Sequence, residues 1–487
     1  MTERSERGGS RRDDRGGYGE RGDRGGSGGD RGYRGDRGYR GGSGYRGGSG
    51  GGRGGDRGYR GGSGGDRGGN RGYRDGERGR SRRVYDDEPR DGLLADLVGH
   101  LHALDGRSYA AYKAIVGRYR APAGWFLHID RVQSDPYAPP TRIHVDVPTD
   151  LHGLELLDEA DLLADADRRL AVGDFLTREL HAGFRGTALS IASPGQEILQ
   201  RSSIILRPEE KKEGTGWVLE VRARLALPAQ GRSIQGHEAS RIVGRDLVRE
   251  LEEAMDLSGE RGDRLVRHIA TLEDHRALTA TVARNGWVAF LADGSVLPRR
   301  SGVSDDPLDG GVPLQAPESM AATVELPHAG TVRGTVVEAG VNVIVGGGYH
   351  GKSTLLSAIE RGVYPHVPGD GRELVATVPD TVKVRAADGR AVTGVDLTPF
   401  ISHLPAGRDT ASFTTRNASG STSQAASIIE AVEAGATTLL LDEDTSATNL
   451  LIRDSRMREL VAAEREPITP LVDRITALFR RRGVSTV

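Results

Sequence analysis

Apolar positions are almost absent from the first 83 residues, and from Asp91 onward the pattern changes. Leu93, Leu94, Leu97, Val98, Leu101 and Leu104 recur at helical spacing, which predicts an amphipathic helix packed on a core. His100 and His102 within it read as ordinary helix residues. Trp125 to Ile129 and Arg142 to Val147 read as strands, bounded by proline turns at Asp135-Pro136 and Pro139-Pro140. Further strands are expected at Ser203 to Leu206 and Trp217 to Leu225, and a helix from Glu238 to Met255. The region 84–320 is thus expected to be a mixed α/β domain. His144 and Asp146 alternate along one strand and could form a metal pair, but no third ligand stands at a metal spacing, so a solvated strand face is the favoured reading.

A Gly, Asp and Pro-rich stretch, Ser301 to Pro317, looks like a linker, which puts a boundary near residue 320 and a second α/β domain at 321–487. That domain opens with β-type runs, Ala322 to Leu326, Thr331 to Val337 and Val341 to Val345. The last run leads into Gly346-Gly347-Gly348-Tyr349-His350-Gly351-Lys352-Ser353, which fits G-x-x-x-x-G-K-[ST]. A helix carrying Thr354, Leu355, Leu356 and Ile359 follows. Strand, glycine loop and helix come in the order a phosphate site needs: backbone N–H groups turn around phosphate oxygens, and the helix N-terminus adds a favourable dipole. Lys352 would reach the β- and γ-phosphates of ATP, and Ser353 would hold Mg²⁺.

Downstream, Thr437 to Leu441 reads as a buried strand ending in Asp442 and Glu443. Asp442 would engage Mg²⁺ and Glu443 would act as the base for an attacking water. Between these motifs, Asn417 to Gln424 (NASGSTSQ) precedes a helical pattern with Ala425, Ile428, Ile429 and Val432 on one face. Its serines and glycine form an N-cap or an anion-binding turn.

Charge divides the chain. The first 83 residues hold 22 Arg and 12 acidic residues, leaving 45 basic and 57 acidic for the rest, so the overall −2 joins a basic arm to an acidic body. The arm repeats Asp-Arg-Gly-Tyr-Arg-Gly at Asp30, Asp36 and Asp56, and is expected to be disordered because it has too little apolar surface to offset ordering. Arginines with interleaved tyrosines suit single-stranded RNA, through phosphate contacts and base stacking. With no cysteine and no run approaching roughly 18 apolar residues, a cytoplasmic location without a membrane span is expected. Only five lysines occur, and one is Lys352, where a compact ammonium serves better than a guanidinium.

Gly340 to Leu356 (GVNVIVGGGYHGKSTLL), Asn417 to Gln424, and Leu441 to Asn449 (LDEDTSATN) together resemble the family of predicted ABC-class ATPases. So do Leu104 to Tyr112 (LDGRSYAAY), Ile129 to Ile143 (IDRVQSDPYAPPTRI) and Leu297 to Val303 (LPRRSGV). The resemblance covers roughly residues 91 to 487. It implies an α/β architecture in which an ABC-type P-loop nucleotide-binding domain follows a family-specific mixed α/β domain, and a homodimer with composite ATP sites. Lys352, Ser353, Thr354, Asp442 and Glu443 would serve one nucleotide, while Ser419, Gly420 and Ser421 would reach the γ-phosphate bound by the partner. Ser446 and Ala447 match the D-loop between sites. Tyr349 and His350 replace the Gly-Ser of the common loop, Asp444 replaces the usual proline, and no glutamine lies between Ser353 and the signature stretch. The chain is expected to stop at Val484 to Val487, inside the next strand, and so to be C-terminally truncated. The alternative function is an RNA-binding scaffold that holds nucleotide without turnover.

Overall fold

The computed structural model describes residues 90–211, 214–402, 404, 409–461 and 466–487; the Arg-Gly-rich segment 1–83, with its expected disorder and RNA contacts, lies outside them. Strand Arg90–Leu93 runs parallel to Gly117–Arg120 and leads directly into helix Leu94–Ala103. That helix buries Leu94, Leu97 and Leu101, the stripe the spacing predicts, and Asp96 caps it by accepting from the Leu93 N–H at 2.9 Å. Gly236, which opens helix Gly236–Arg241, allows close contact with it: a Cβ there would lie 2.2 Å from the Leu101 carbonyl oxygen. The expected helix from Glu238 to Met255 runs on through a wider π turn, Ile242–Asp246, into Leu247–Met255.

A seven-stranded sheet forms the body of this half. Gly117–Arg120, Phe126–Arg131, Thr141–Pro148 and Gly214–Leu225 are antiparallel neighbours in that order, and the last also pairs with Leu189–Ser190 and Ile204–Lys211. Alternation sorts the faces. Thr141, Ile143, Val145 and Val147 point into the core, while Arg142, His144 and Asp146 occupy the opposite face.

Two long helices outside the expected elements complete the core, Ala166–Gly183 and the 25-residue Glu260–Arg284. Leu265, Ile269, Leu272, Leu278 and Val282 of the second are buried. A polar cluster ties the two helices together at the fully buried Asp174, which accepts from Arg178 at 2.7 Å and from Arg201 and faces His268 at 3.2 Å. Burial, together with Arg178 and Arg201, pushes the His268 pKa down to about 3, so the imidazole is neutral and the carboxylate's charge is met by the guanidiniums.

Trp287–Ala292 is one of two inner strands of a second, antiparallel sheet, flanked by Gly330–Glu338 and Val375–Thr377, with Ala321–Leu326 at the far edge. This sheet therefore continues across residue 320. The linker-like stretch from Ser301 is an excursion from it, containing the small hairpin Arg299–Ser301 and Ser304–Pro307. A third, parallel sheet has the order Thr381–Val384, Thr438–Leu441, Ser485–Thr486. Of the strand expected to be cut short at Val484 to Val487, Ser485–Thr486 is paired beside Thr438–Leu441.

One expected strand is different. Val341 to Val345 makes a single parallel bridge, Val341 to Thr486, reinforced by Asn342 N–H donating to the Thr486 carbonyl at 2.8 Å. Beyond it no ladder continues: Val343 is 76% exposed and Val345 82%. A β-type sequence becomes a strand only where a neighbour takes its N–H and C=O groups, and here none does among the described residues. No helix among the described residues is long and apolar enough to cross a membrane.

Candidate functional site

Gly351 takes φ 80°, a left-handed conformation that glycine adopts without strain, and delivers the chain into helix Lys352–Arg361. Tyr349 also has a positive φ, 63°, and projects fully into solvent. A bulky residue held there marks local strain, a feature that concentrates at functional loops. Ser353 and Thr354 occupy the first turn, where unpaired helix N–H groups and the helix dipole favour an anion.

The glycine loop is closed on itself. Gly347 N–H donates to His350 Nδ1 at 3.2 Å, and Lys352 Nζ donates to the Gly347 carbonyl at 2.8 Å. The His350 ring lies over Gly346 and Gly347, so that a Cβ on Gly347 would meet its Cε1 at 3.2 Å. His350 therefore takes up one of the amides a phosphate would use. Gly348 is exposed at the tip.

Leu356 and Ile359 hold the helix down. They share an apolar cluster with Leu440 and Val487, so the strand ending at Leu441 and the helix that begins at Lys352 belong to one core. Burying each such leucine is worth roughly 1.5–3 kcal/mol, enough to fix the two motifs relative to one another. Lys383 adds a 2.9 Å ion pair to Glu360 of the same helix. Asp442 and Glu443 follow directly on the strand, Asp442 half-buried and Glu443 exposed, and neither carboxylate has a hydrogen-bond or ion-pair partner among the described residues. An ammonium, a serine at a helix N-terminus and two uncommitted carboxylates suit a magnesium-bound phosphate chain.

Ser419 is the N-cap of helix Gly420–Glu433. Ser419 and Gly420 reach the surface, whereas Ser421 is buried and donates to Asn449 Oδ1 at 2.6 Å. Gln424, wholly buried, donates to Ser446 Oγ at 2.9 Å and accepts from the Ala447 N–H at 2.8 Å. The stretch after Glu443 is therefore fastened to the Ser419 helix. No hydrogen bond or ion pair joins Ser419, Gly420 or Ser421 to Gly346–Ser353 among the described residues.

Sequence reasoning missed what surrounds the far end of the glycine-loop helix. Arg361 pairs with Glu197 at 2.8 Å, and the backbone of Gln196 and Ile198 bonds to Val367 and Pro365. Asp370 behind it is gripped by both guanidinium nitrogens of Arg299, at 2.9 and 2.8 Å, and by His366 at 2.7 Å. Arg299 belongs to the LPRRSGV motif, so the motif itself was legible but its partner was not.

Two family descriptions match the chain. One, "ATPase of the ABC class N-terminal", covers residues 94–257, and the other, "P-loop domain" of ABC ATPases, covers residues 261–487. The chain is also similar to an uncharacterized protein of Methanocaldococcus jannaschii, 28% identical over 245 residues, which represent 45% of this chain and 54% of that protein. The chain thus spans about half the length of this curated relative.

Proposed function

The chain belongs to the ABC class of P-loop ATPases, and from that premise we propose that it binds ATP at Gly346–Thr354, hydrolyses it through Glu443, and uses the cycle to join and release two copies of itself. The apolar cluster that Leu440 shares with Leu356 and Ile359 carries the reading, because it joins the carboxylate-bearing strand and the lysine-bearing helix in one core. For ATP to enter, Lys352 exchanges the Gly347 carbonyl for phosphate oxygens and His350 gives up the Gly347 N–H. Ser353 and Asp442 would hold Mg²⁺, which would neutralise charge building on the phosphates. Glu443 accepts a proton from the water that attacks the γ-phosphorus, and the bond to the ADP oxygen breaks.

Dimerisation rests on Ser419 and Gly420. They stand at a helix N-terminus, Ser419 exposed and Gly420 half-exposed, with no hydrogen bond to Gly346–Ser353 among the described residues, and a γ-phosphate presented by a second copy would satisfy them. The buried Ser421 acts differently, through Asn449, as part of the clamp that ties this helix to Ser446 and Ala447. Light scattering of Glu443→Gln tests the switch: ATP should double the mass, Ser419→Arg should prevent that, and a mass indifferent to ATP would refute it. An Arg-rich arm on such a switch favours RNA as the substrate on which the cycle works. The scaffold reading, binding without turnover, is disfavoured by the uncommitted Glu443 carboxylate at the strand end.

A further inference from the structure

On the outer face of the seven-stranded sheet, His128 stands directly opposite His144 in the antiparallel register, and their rings stack 4.1 Å apart and 11° from parallel. Asp146 lies two residues along the same strand face. One potential ligand atom from each of the three residues falls within 4.8 Å of the others. The third ligand that spacing alone does not supply thus comes from the neighbouring strand, 16 positions before His144.

Two of these side chains carry buried atoms without a hydrogen-bond partner, His128 Nε2 and Asp146 Oδ1, and His128 Nε2 lies 3.4 Å from the other Asp146 oxygen, Oδ2. Each such atom costs about 1–3 kcal/mol when nothing satisfies it. The groups around them are already arranged as supports. Asp130 Oδ2 lies 2.8 Å from His144 Nδ1, which fixes that ring and leaves Nε2 as its coordinating atom. Arg207 holds Asp146 Oδ2 at 2.7 Å, leaving Oδ1 uncommitted, and Arg207 is itself steadied by Glu220 at 3.4 Å. A carboxylate behind a ligating imidazole, and a hydrogen bond behind a ligating carboxylate, are the outer contacts that metal ligands use.

We propose that His128, His144 and Asp146 form a binding site for a divalent transition-metal ion of the zinc type, separate from the nucleotide-binding site. Two imidazoles and one carboxylate make a three-ligand set that leaves a coordination position for water. Zinc–ligand bonds of about 2.0–2.1 Å put tetrahedral ligand atoms roughly 3.4 Å apart, so the ligand atoms close from within 4.8 Å and, because an imidazole binds an ion in its own ring plane, the His128 ring turns out of its stack on His144 to do so. Imidazole donors favour zinc over magnesium, so the Mg²⁺ expected at Ser353 and Asp442 does not compete here. His144 and Asp130 also line an open cleft of about 840 Å³, so that edge of the cluster is reached by solvent.

The test uses the full chain, stripped with chelator, free of nucleotide and in excess Mg²⁺, titrated calorimetrically with Zn²⁺. One equivalent should bind at micromolar or lower concentration, with at least a tenfold loss of affinity in His128→Ala and in His144→Ala. Asp130→Asn, a positioning change, should keep the stoichiometry and weaken binding by about 10-fold to 100-fold. His102 and His237, whose Nδ1 atoms approach to 2.7 Å, are another close histidine pair, and His237→Ala should leave binding unchanged. Binding that survives both His128→Ala and His144→Ala, or that disappears in His237→Ala, would overturn the assignment, as would no binding at all. Should an alanine variant misfold, Co²⁺ on the unaltered chain decides: visible d–d absorption of a nitrogen and oxygen site, bleached by one equivalent of Zn²⁺, supports the proposal, and its absence overturns it.

Discussion

Arg361, the last residue of the helix that begins at Lys352, is ion-paired at 2.8 Å to Glu197, a mostly buried residue from the preceding half of the chain. The pair links the nucleotide helix to the loop that Arg178 and Arg201 fasten through the Glu197 carbonyl.

Because the carboxylate is the more buried partner, removing Arg361 strands a charge, whereas removing both charges does not. Arg361→Ala is therefore expected to destabilise the fold more than Arg361→Ala combined with Glu197→Gln. Denaturant titration of the double-mutant cycle measures this. Additive costs would mean that the contact couples nothing.

His350 competes with phosphate for the Gly347 N–H. A single such hydrogen bond is worth about 0.5–1.5 kcal/mol, so His350→Ser should tighten nucleotide binding by roughly 2-fold to 10-fold. Equilibrium binding of a fluorescent ATP analogue measures it. Weaker binding in the variant would instead place His350 among the groups that hold the nucleotide.

Binding of single-stranded RNA should depend on residues 1–83 and fall with salt. About six arginine–phosphate contacts would cost on the order of 10³ in affinity between about 50 and 200 mM salt. A chain lacking 1–83 that binds as well as the full chain, measured by fluorescence anisotropy, would move recognition to the folded part.

His275 is buried on Glu260–Arg284, its Nε2 3.2 Å from the Gly362 carbonyl just past the nucleotide helix. Burial, with smaller contributions from His366 and Arg276, lowers its pKa to about 4. The unfolded chain takes up a proton near the ordinary histidine value of about 6.5, while the folded chain resists it. Stability is thus complete above that value and is lost as pH falls toward 4, by at most about 1.4 kcal/mol per pH unit for this group. His275→Gln should flatten the acid limb of thermal stability between those limits. An unchanged limb would assign the acid sensitivity elsewhere.

The sequence was most informative where function and local pattern coincide. The leucine stripe of Leu94–Ala103, the glycine loop, and the strand ending at Asp442 all depend on neighbours in the chain. Glu260–Arg284 escaped notice because its apolar stripe is interrupted by buried His268, Asp274 and His275, polar residues whose partners lie far away in sequence. The small hairpin after Arg299 looked like a domain linker, since the sheet that resumes beyond it cannot be seen locally. His128 and His144 meet only because the turn between their strands sets the register, and Val341 to Val345 has β-type residues without a neighbouring strand along most of its length. Gln424 was visible at the end of the NASGSTSQ stretch, but its bonds to Ser446 and Ala447 required the fold.

Single-turnover hydrolysis of ATP labelled at the γ-phosphate, with protein in excess and Mg²⁺ present, tests the central claim most directly. The parent chain should release phosphate, Glu443→Gln should bind ATP equally well and release it about 10²-fold to 10⁴-fold more slowly, and Lys352→Ala should fail to bind. Equal rates in the parent and Glu443→Gln, or undiminished ATP binding by Lys352→Ala, would contradict the account.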